Sequence, residues 1–185
     1  VFGVYTDAAC TAQIGTLTTD GSGEASMSVN RDLGRVWLKE LTAPEGYVLD
    51  PTVHEAALSS DAAVLEAVCA AENQKTRIQV SKVDEDGNPA AGATLKICKE
   101  NDENADPYVL NGESLTWTTT DAPRVIEGLP YGTYYLIETA APEGYTIAAP
   151  QAFTVDENSV SVSVTMKNVQ TKLQFRKLDE SGEPL

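Results

Sequence analysis

A block of ten residues that occurs twice limits the fold of this chain more than any other feature. Leu38-Lys39-Glu40-Leu41-Thr42-Ala43-Pro44-Glu45-Gly46-Tyr47 returns as Leu136-Ile137-Glu138-Thr139-Ala140-Ala141-Pro142-Glu143-Gly144-Tyr145. A second block, Val80-Ser81-Lys82-Val83-Asp84-Glu85-Asp86-Gly87-Asn88-Pro89, returns as Phe175-Arg176-Lys177-Leu178-Asp179-Glu180-Ser181-Gly182-Glu183-Pro184. The interval from Asn to Lys is also kept, nine residues from Asn73 to Lys82 and nine from Asn168 to Lys177. Three features matched in one order describe a tandem repeat, and such self-similarity fixes the architecture before any local reading. The expected organisation is a unit lacking its first strand at 1–74, a complete unit at 75–169, and the first strand of a following unit at 170–185. The chain opens inside a strand-like pattern at Val1-Phe2-Gly3-Val4-Tyr5 and stops just after a turn, so it reads as a slice of a longer array.

Short β-branched and aromatic runs alternate with turn signals at Asp20-Gly21-Ser22-Gly23, Asp86-Gly87-Asn88-Pro89 and Leu129-Pro130-Tyr131-Gly132. Several short strands separated by turns predict an all-β sandwich. Only the Ala-rich stretch Ala62–Ala71 is ambiguous with a helix. With 42% hydrophobic and 22% charged residues the chain can bury a core, which argues against wholesale disorder.

Strand alternation sends residues i, i+2 and i+4 to one face. Ile78, Val80 and Lys82 then share an apolar face, and Glu138 is in phase with Tyr134 and Leu136. In Val160–Asn168 the alternation puts Asn168 on the side of the valines and Met166. One lysine, one acid and one amide therefore enter one core. A lone buried charge is very costly, so such groups pair or change protonation. One reading is a Lys82–Glu138 ion pair with the amide hydrogen-bonded beside it. The other is chemical: desolvation lowers the lysine pKa and raises the glutamic one, leaving a neutral amine nucleophile beside a neutral acid. The amine attacks the Asn side-chain carbonyl, the acid shuttles protons, and ammonia leaves.

With Lys-Val-Asp…Asp-Gly…Pro near its start, Tyr-x-Leu-x-Glu-x-x-Ala-Pro-x-Gly-Tyr in the middle and a last strand ending in Asn, the chain resembles the Cna B-type (SpaA-like) isopeptide-forming domains of Gram-positive surface adhesins and pilins. The resemblance covers the whole length. It implies tandem immunoglobulin-like, prealbumin-like β-sandwiches, a Lys82–Asn168 isopeptide bond, and Glu138 as the proton shuttle. Glu40, in phase with Val36 and Leu38, and Asn73 are the equivalents in the first unit, without a lysine. Lys177, in phase with Leu173 and Phe175, is an amine without either partner. The first unit's last strand, Ala63–Asn73, shows weaker alternation, and Thr171–Leu178 reads as a free donor strand able to enter the first unit of a neighbouring molecule. The function implied is a structural stalk repeat of a secreted protein held at the Gram-positive cell wall. Its partners would be neighbouring repeats and, through the parent's tip, a host extracellular protein. The alternative is a ligand-binding adhesin module contacting host matrix or another surface. Its one candidate insertion is Asn101–Trp117, with Tyr108 and Trp117, and otherwise a solvated loop.

The net charge of −15, from 13 basic and 28 acidic residues, opposes binding to nucleic acid or anionic membranes, since both depend on Lys and Arg. No run reaches the eighteen or so apolar residues of a membrane span. Cys10, Cys69 and Cys98 do not form a disulfide framework. They read as small buried residues, with a Cys10–Cys69 bridge as the other option. His54, beside Pro51 in an expected loop, is the single histidine, so neither a zinc cluster nor a Ser-His-Asp triad is supported. Asp84–Asn88 lacks the spacing and distal Glu of a calcium loop and reads as a turn. No cofactor, no metal and no turnover of external substrate are expected.

Overall fold

The computed structural model describes residues 1–61 and 63–185. They form thirteen strands and one short 3-10 turn: β1 (Phe2–Tyr5), β2 (Gln13–Leu17), the turn at Arg31–Leu33, β3 (Arg35–Glu40), β4 (Val53–Ala57), β5 (Arg77–Val83), β6 (Thr94–Cys98), β7 (Val109–Leu110), β8 (Glu113–Ser114), β9 (Thr116–Thr118), β10 (Arg124–Glu127), β11 (Gly132–Ala140), β12 (Gln151–Val155) and β13 (Val162–Lys167). The expected all-β class is what the chain adopts. Two compact units result, the first from Val1–Ile78, Ile126–Gly132 and Thr154–Val162, the second from Gln79–Val125, Thr133–Phe153 and Ser163–Leu185.

Each repeat copy supplies a four-stranded sheet, and the two sheets have one connectivity. The first runs β2-β1-β3-β4 and the other β9-β6-β11-β12. Strands β3 and β11 carry the repeated Leu-x-Glu, so the sequence repeat is also a topological one. A third sheet, β10-β5-β13, has β5 at its centre. The alternation Arg77–Val83 is realised residue by residue, with Ile78, Val80 and Lys82 buried and their neighbours only partly so. In the second unit Leu95, Ile97, Tyr134, Leu136, Val164 and Met166 are almost wholly removed from water.

The first four-stranded sheet is covered less completely. Its inner face carries the buried cluster Val4, Val36 and Ala56, joined by the partly exposed Leu17, Met27, Leu38, Leu58 and Cys69. Two clefts open along this face, of about 370 and 750 Å³.

Several expectations are overturned. Residues 63–73 form no strand, and neither do Thr171–Leu178, apart from an isolated bridge between Leu178 and Pro184. A strand needs a hydrogen-bonded neighbour, and alternation alone does not provide one. Ala62 lies outside the described residues, and Ala63–Ala71 are not helical either. His54 is in β4, not in a loop, because Leu38 of β3 pairs with it. Asn101–Trp117 contains a small hairpin, β7–β8, and enters β9. All three cysteines are free, and only Cys98 is buried. Cys10 sits in a turn with φ 54°, while Cys69 packs on the Val4 cluster, so the Cys10–Cys69 bridge is not made. Asp84–Asn88 is the expected turn, closed by Asp84 N donating to Asn88 O at 2.9 Å and by Asp84 Oδ1 accepting from two further amides.

Candidate functional site

Lys82, Glu138 and Asn168 meet in the second unit, as their strand phases require. Lys82 projects from β5, Glu138 from β11, and Asn168 follows the last residue of β13. Lys82 Nζ lies 3.5 Å from Glu138 Oε1, with both side chains at most 1% exposed. Asn168, fully buried, donates from Nδ2 to Glu138 Oε2 at 2.8 Å and to the Thr146 carbonyl at 2.6 Å. Glu138 Oε2 also accepts from the Ala148 amide at 2.6 Å. The lysine's remaining neighbour is the Met166 carbonyl at 3.5 Å.

The carboxylate is thus divided. One oxygen is held by two N–H donors, and the other faces the amine. Burial pulls the Lys82 pKa below its ordinary 10.5, and the attraction of Glu138 only partly opposes this. The amine is therefore easier to deprotonate than an exposed one. Asn168 Oδ1 is buried with no hydrogen-bond partner among the described residues. It belongs to the carbonyl whose carbon an amine would attack, while the nitrogen that would leave is already bonded to the acid.

Local turns assemble this arrangement. Tyr145 N donates to Pro142 O at 3.1 Å, with Gly144 at φ 84°. This is the glycine-requiring bend that the Pro-Glu-Gly-Tyr block encodes. The bend then pairs with the chain just beyond Asn168: Thr146 N donates to Val169 O at 2.9 Å and Thr171 N to Gly144 O at 2.8 Å. A bulge at Thr139 follows Glu138, where Glu138 opposes Leu95 and Ala140 opposes Thr94. Bulges re-aim side chains at such points.

The first unit repeats the frame without the cation. Glu40 Oε2 accepts from the Asp50 amide and from Asn73 Nδ2, each at 2.7 Å, and Asn73 Nδ2 also donates to the Val48 carbonyl at 3.0 Å. Glu40 is 2% exposed, yet among the described residues no Lys or Arg nitrogen lies within 4 Å of it. Lys177 is exposed.

Sequence reasoning did not find Thr146, Ala148 and Met166, because they act through backbone atoms and carry no residue-type signal. Only their fixed distance from the Gly-Tyr block marks the first two. It also missed Lys96, which is 7% exposed and donates to the Glu103 and Ala105 carbonyls at 2.7 and 2.5 Å. That lysine fastens the loop over β6.

The family model described as SpaA, prealbumin-like fold domain, matches residues 1–73 and again 76–170. No curated protein matches the chain. Among solved structures, the Bacillus anthracis TIE protein is 24% identical with a TM-score of 0.49, over 91% of this chain and 30% of that one. A streptococcal ancillary pilin is 24% identical with a TM-score of 0.44, over 92% of this chain and 56% of that one. The minor pilin of Streptococcus agalactiae is 20% identical with a TM-score of 0.46, over 96% and 85%. The chain therefore spans less than two thirds of the first two of these proteins.

Proposed function

Since the chain belongs to the SpaA prealbumin-like fold domain family, we propose that it is a stalk segment of a Gram-positive surface adhesin or pilin, locked by an autocatalytic isopeptide bond between Lys82 and Asn168. Its units on this reading are 1–74, 75–169 and 170–185, and its setting is the outside of the cell, at the wall. The observation that carries it is one buried carboxylate with Lys82 at one oxygen and the Asn168 amide nitrogen on the other.

The bond chemistry balances without a cofactor. Lys82 Nζ passes a proton to Glu138 Oε1 and becomes a neutral amine. The nitrogen attacks Asn168 Cγ, giving a tetrahedral centre with its charge on Oδ1. The attacking nitrogen loses a further proton, the departing Nδ2 receives protons through Glu138, and the Cγ–Nδ2 bond breaks. One ammonia leaves, and an Nζ–Cγ amide remains. The reaction occurs once per chain, so it does not make the protein an enzyme.

Joining the first strand of the unit to the end of its last strand closes almost the whole unit into a loop. By the chain-entropy relation used for disulfides, this stabilises by roughly 4–5 kcal/mol. An amide also resists reduction, and a link between those strands carries tension past the chain between them. The aromatic residues of 101–117 are engaged internally, which favours a structural role over a ligand surface. Tyr108 packs edge-on against Tyr134 at 5.4 Å, and Arg124 covers Trp117 at 4.8 Å. Intact mass tests the proposal. The chain should be lighter than its sequence by one ammonia, and Lys82→Ala or Glu138→Ala should restore full mass. A wild-type chain at full mass overturns the bond and leaves a buried ion pair.

A further inference from the structure

Lys82 belongs to two places at once. Its amine faces Glu138 in the buried site, and the same residue lines a cleft of about 330 Å³. Val80 and Lys82 form the buried end of that cleft, Trp117, Thr119 and Arg124 line it, and the exposed Ala122 stands at its rim. All of these residues fall within 79–125, inside the second compact unit.

The walls of the cleft are fixed. Thr119 is buried, and its Oγ1 donates to the Ala90 carbonyl at 2.8 Å and accepts from the Ala93 amide at 3.0 Å. Ala90 N in turn donates to Lys82 O at 2.9 Å, so the turn after β5 is tied both to the wall and to Lys82. The Arg124 guanidinium lies 4.8 Å from the centre of the Trp117 ring. The volume is at the lower end of small-molecule sites, about 300–1,000 Å³, and suits a short ligand.

On the other side of the Lys82 side chain, the acceptor is assembled without it. Glu138 Oε2 is held by the Ala148 amide and by Asn168 Nδ2, which also donates to the Thr146 carbonyl. Glu138 Oε1 and Asn168 Oδ1 are buried and have no hydrogen-bond partner among the described residues. Because Lys82 lines the cleft at one end and reaches Oε1 at the other, shortening its side chain joins the two in one passage as wide as an alkyl chain. A buried carboxylate favours an opposite charge beside it, and an entering alkylammonium supplies one.

We infer that Glu138 and Asn168 form an acceptor for primary amines that Lys82 fills from within, and that the Trp117–Arg124 cleft is its approach from solvent. With the Lys82 side chain removed, a short unbranched alkylamine enters by the cleft and reacts in its place. The inference rests on the Lys82–Asn168 chemistry proposed above. The entering ammonium passes a proton to Glu138 Oε1, its nitrogen attacks Asn168 Cγ, and that nitrogen gives up a further proton. The departing Nδ2 receives protons through Glu138, the Cγ–Nδ2 bond breaks, one ammonia leaves, and an N-alkyl amide remains on residue 168.

The test is chemical rescue read by intact mass. Butylamine is the missing side chain as a free molecule, so Lys82→Gly should gain the mass of butylamine less one ammonia, located on Asn168 by peptide mapping. Lys82→Ala, which keeps Cβ, should take propylamine in the same way, and it covers the case in which Lys82→Gly does not fold. Lys82→Gly with Glu138→Gln should gain nothing. Lys82→Gly with Ala122→Trp, whose ring fills the mouth of the cleft, should lose the adduct while keeping the thermal transition of Lys82→Gly. No adduct on either single variant, with the wild-type chain lighter by one ammonia, overturns this inference and leaves the stalk proposal standing. An adduct that Ala122→Trp does not diminish also overturns it, because the amine then arrives by another route. A full-mass wild-type chain together with no adduct overturns both.

Discussion

Two acid–amide pairs in this chain share a hydrogen-bond frame and differ in what lies across from the acid. Glu40 and Glu138 each accept from a backbone amide ten residues on and from an asparagine, whose other donor goes to a nearby carbonyl. Glu138 faces Lys82, and Glu40 faces a cleft. The sheets differ in step with this. Around Glu138, β10 and β13 are both strands because β5 lies between them and pairs with both. On the side of Glu40, the segment before β3 around Met27 and Val29 and the segment 63–73 form no strand. The frame is therefore local, made by a turn and the chain it clasps. The second sheet is not local, and one central strand decides whether two others exist.

The largest expected effect that would break this comparison comes from Lys82→Ala. It removes the loop closure, roughly 4–5 kcal/mol. Calorimetry should show the main transition lower by on the order of 20 °C or more. Should Glu40→Ala lower it as far, the two pairs would be energetically alike and the lysine irrelevant.

A smaller difference separates two equivalent glycines. Gly46 and Gly144 have φ 81° and 84°, but a Cβ at Gly46 would lie 2.5 Å from the Gly128 carbonyl oxygen, whereas one at Gly144 meets nothing within 4 Å. Gly144→Ala should cost about 1–2 kcal/mol from the left-handed backbone alone. Gly46→Ala should cost more, because backbone must move. Urea midpoints at unchanged slope measure both, and equal costs would remove the asymmetry.

Lys82 should also give the second unit a pH dependence that the first does not share. In Asn168→Ala, which cannot close the bond, the lowered lysine pKa means the unfolded chain binds more protons between the folded value and the ordinary 10.5. Stability of that variant should rise with pH through this window and be flat in this respect below it. Denaturant titrations of Asn168→Ala and of Asn168→Ala with Lys82→Met, compared from neutral pH upward, isolate the slope. Its persistence without the lysine would assign it elsewhere. The smallest effect belongs to Glu40→Gln, which keeps a carbonyl acceptor for Asn73 or Asp50. It should cost on the order of 1 kcal/mol and leave the mass deficit unchanged.

Much of the site was legible in the sequence because strand geometry has a period of two. Lys82, Glu138 and Asn168 fall in phase with Val80, Leu136 and Met166, and all six side chains are buried as that phase requires. The Pro-Glu-Gly-Tyr block also announced its bend, since a left-handed position there calls for glycine. Three things were not legible. The backbone partners Thr146, Ala148 and Met166 leave no trace in residue type. The burial of Lys96 depends on the loop whose Glu103 and Ala105 carbonyls accept from it, which no residue-type pattern marks. His54 looked like a loop residue beside a proline, and pairing with Leu38 drew it into β4.

The amino-acid sequence by itself determined the repeat, the all-β class, which side chains turn inward, and where the chain bends. Those properties depend on neighbouring residues and on the alternation of side chains along an extended backbone. Only the tertiary structure decided which patterned segments became strands, and which backbone groups hold the buried acids. Residues 63–73 and 171–178 carry strand-like alternation and form none, while 77–83 with a similar pattern becomes the centre of a sheet. The physical reason is that a strand's hydrogen bonds are made to another segment. The pattern along one segment states what it would bury, and the presence of its neighbours settles whether it does.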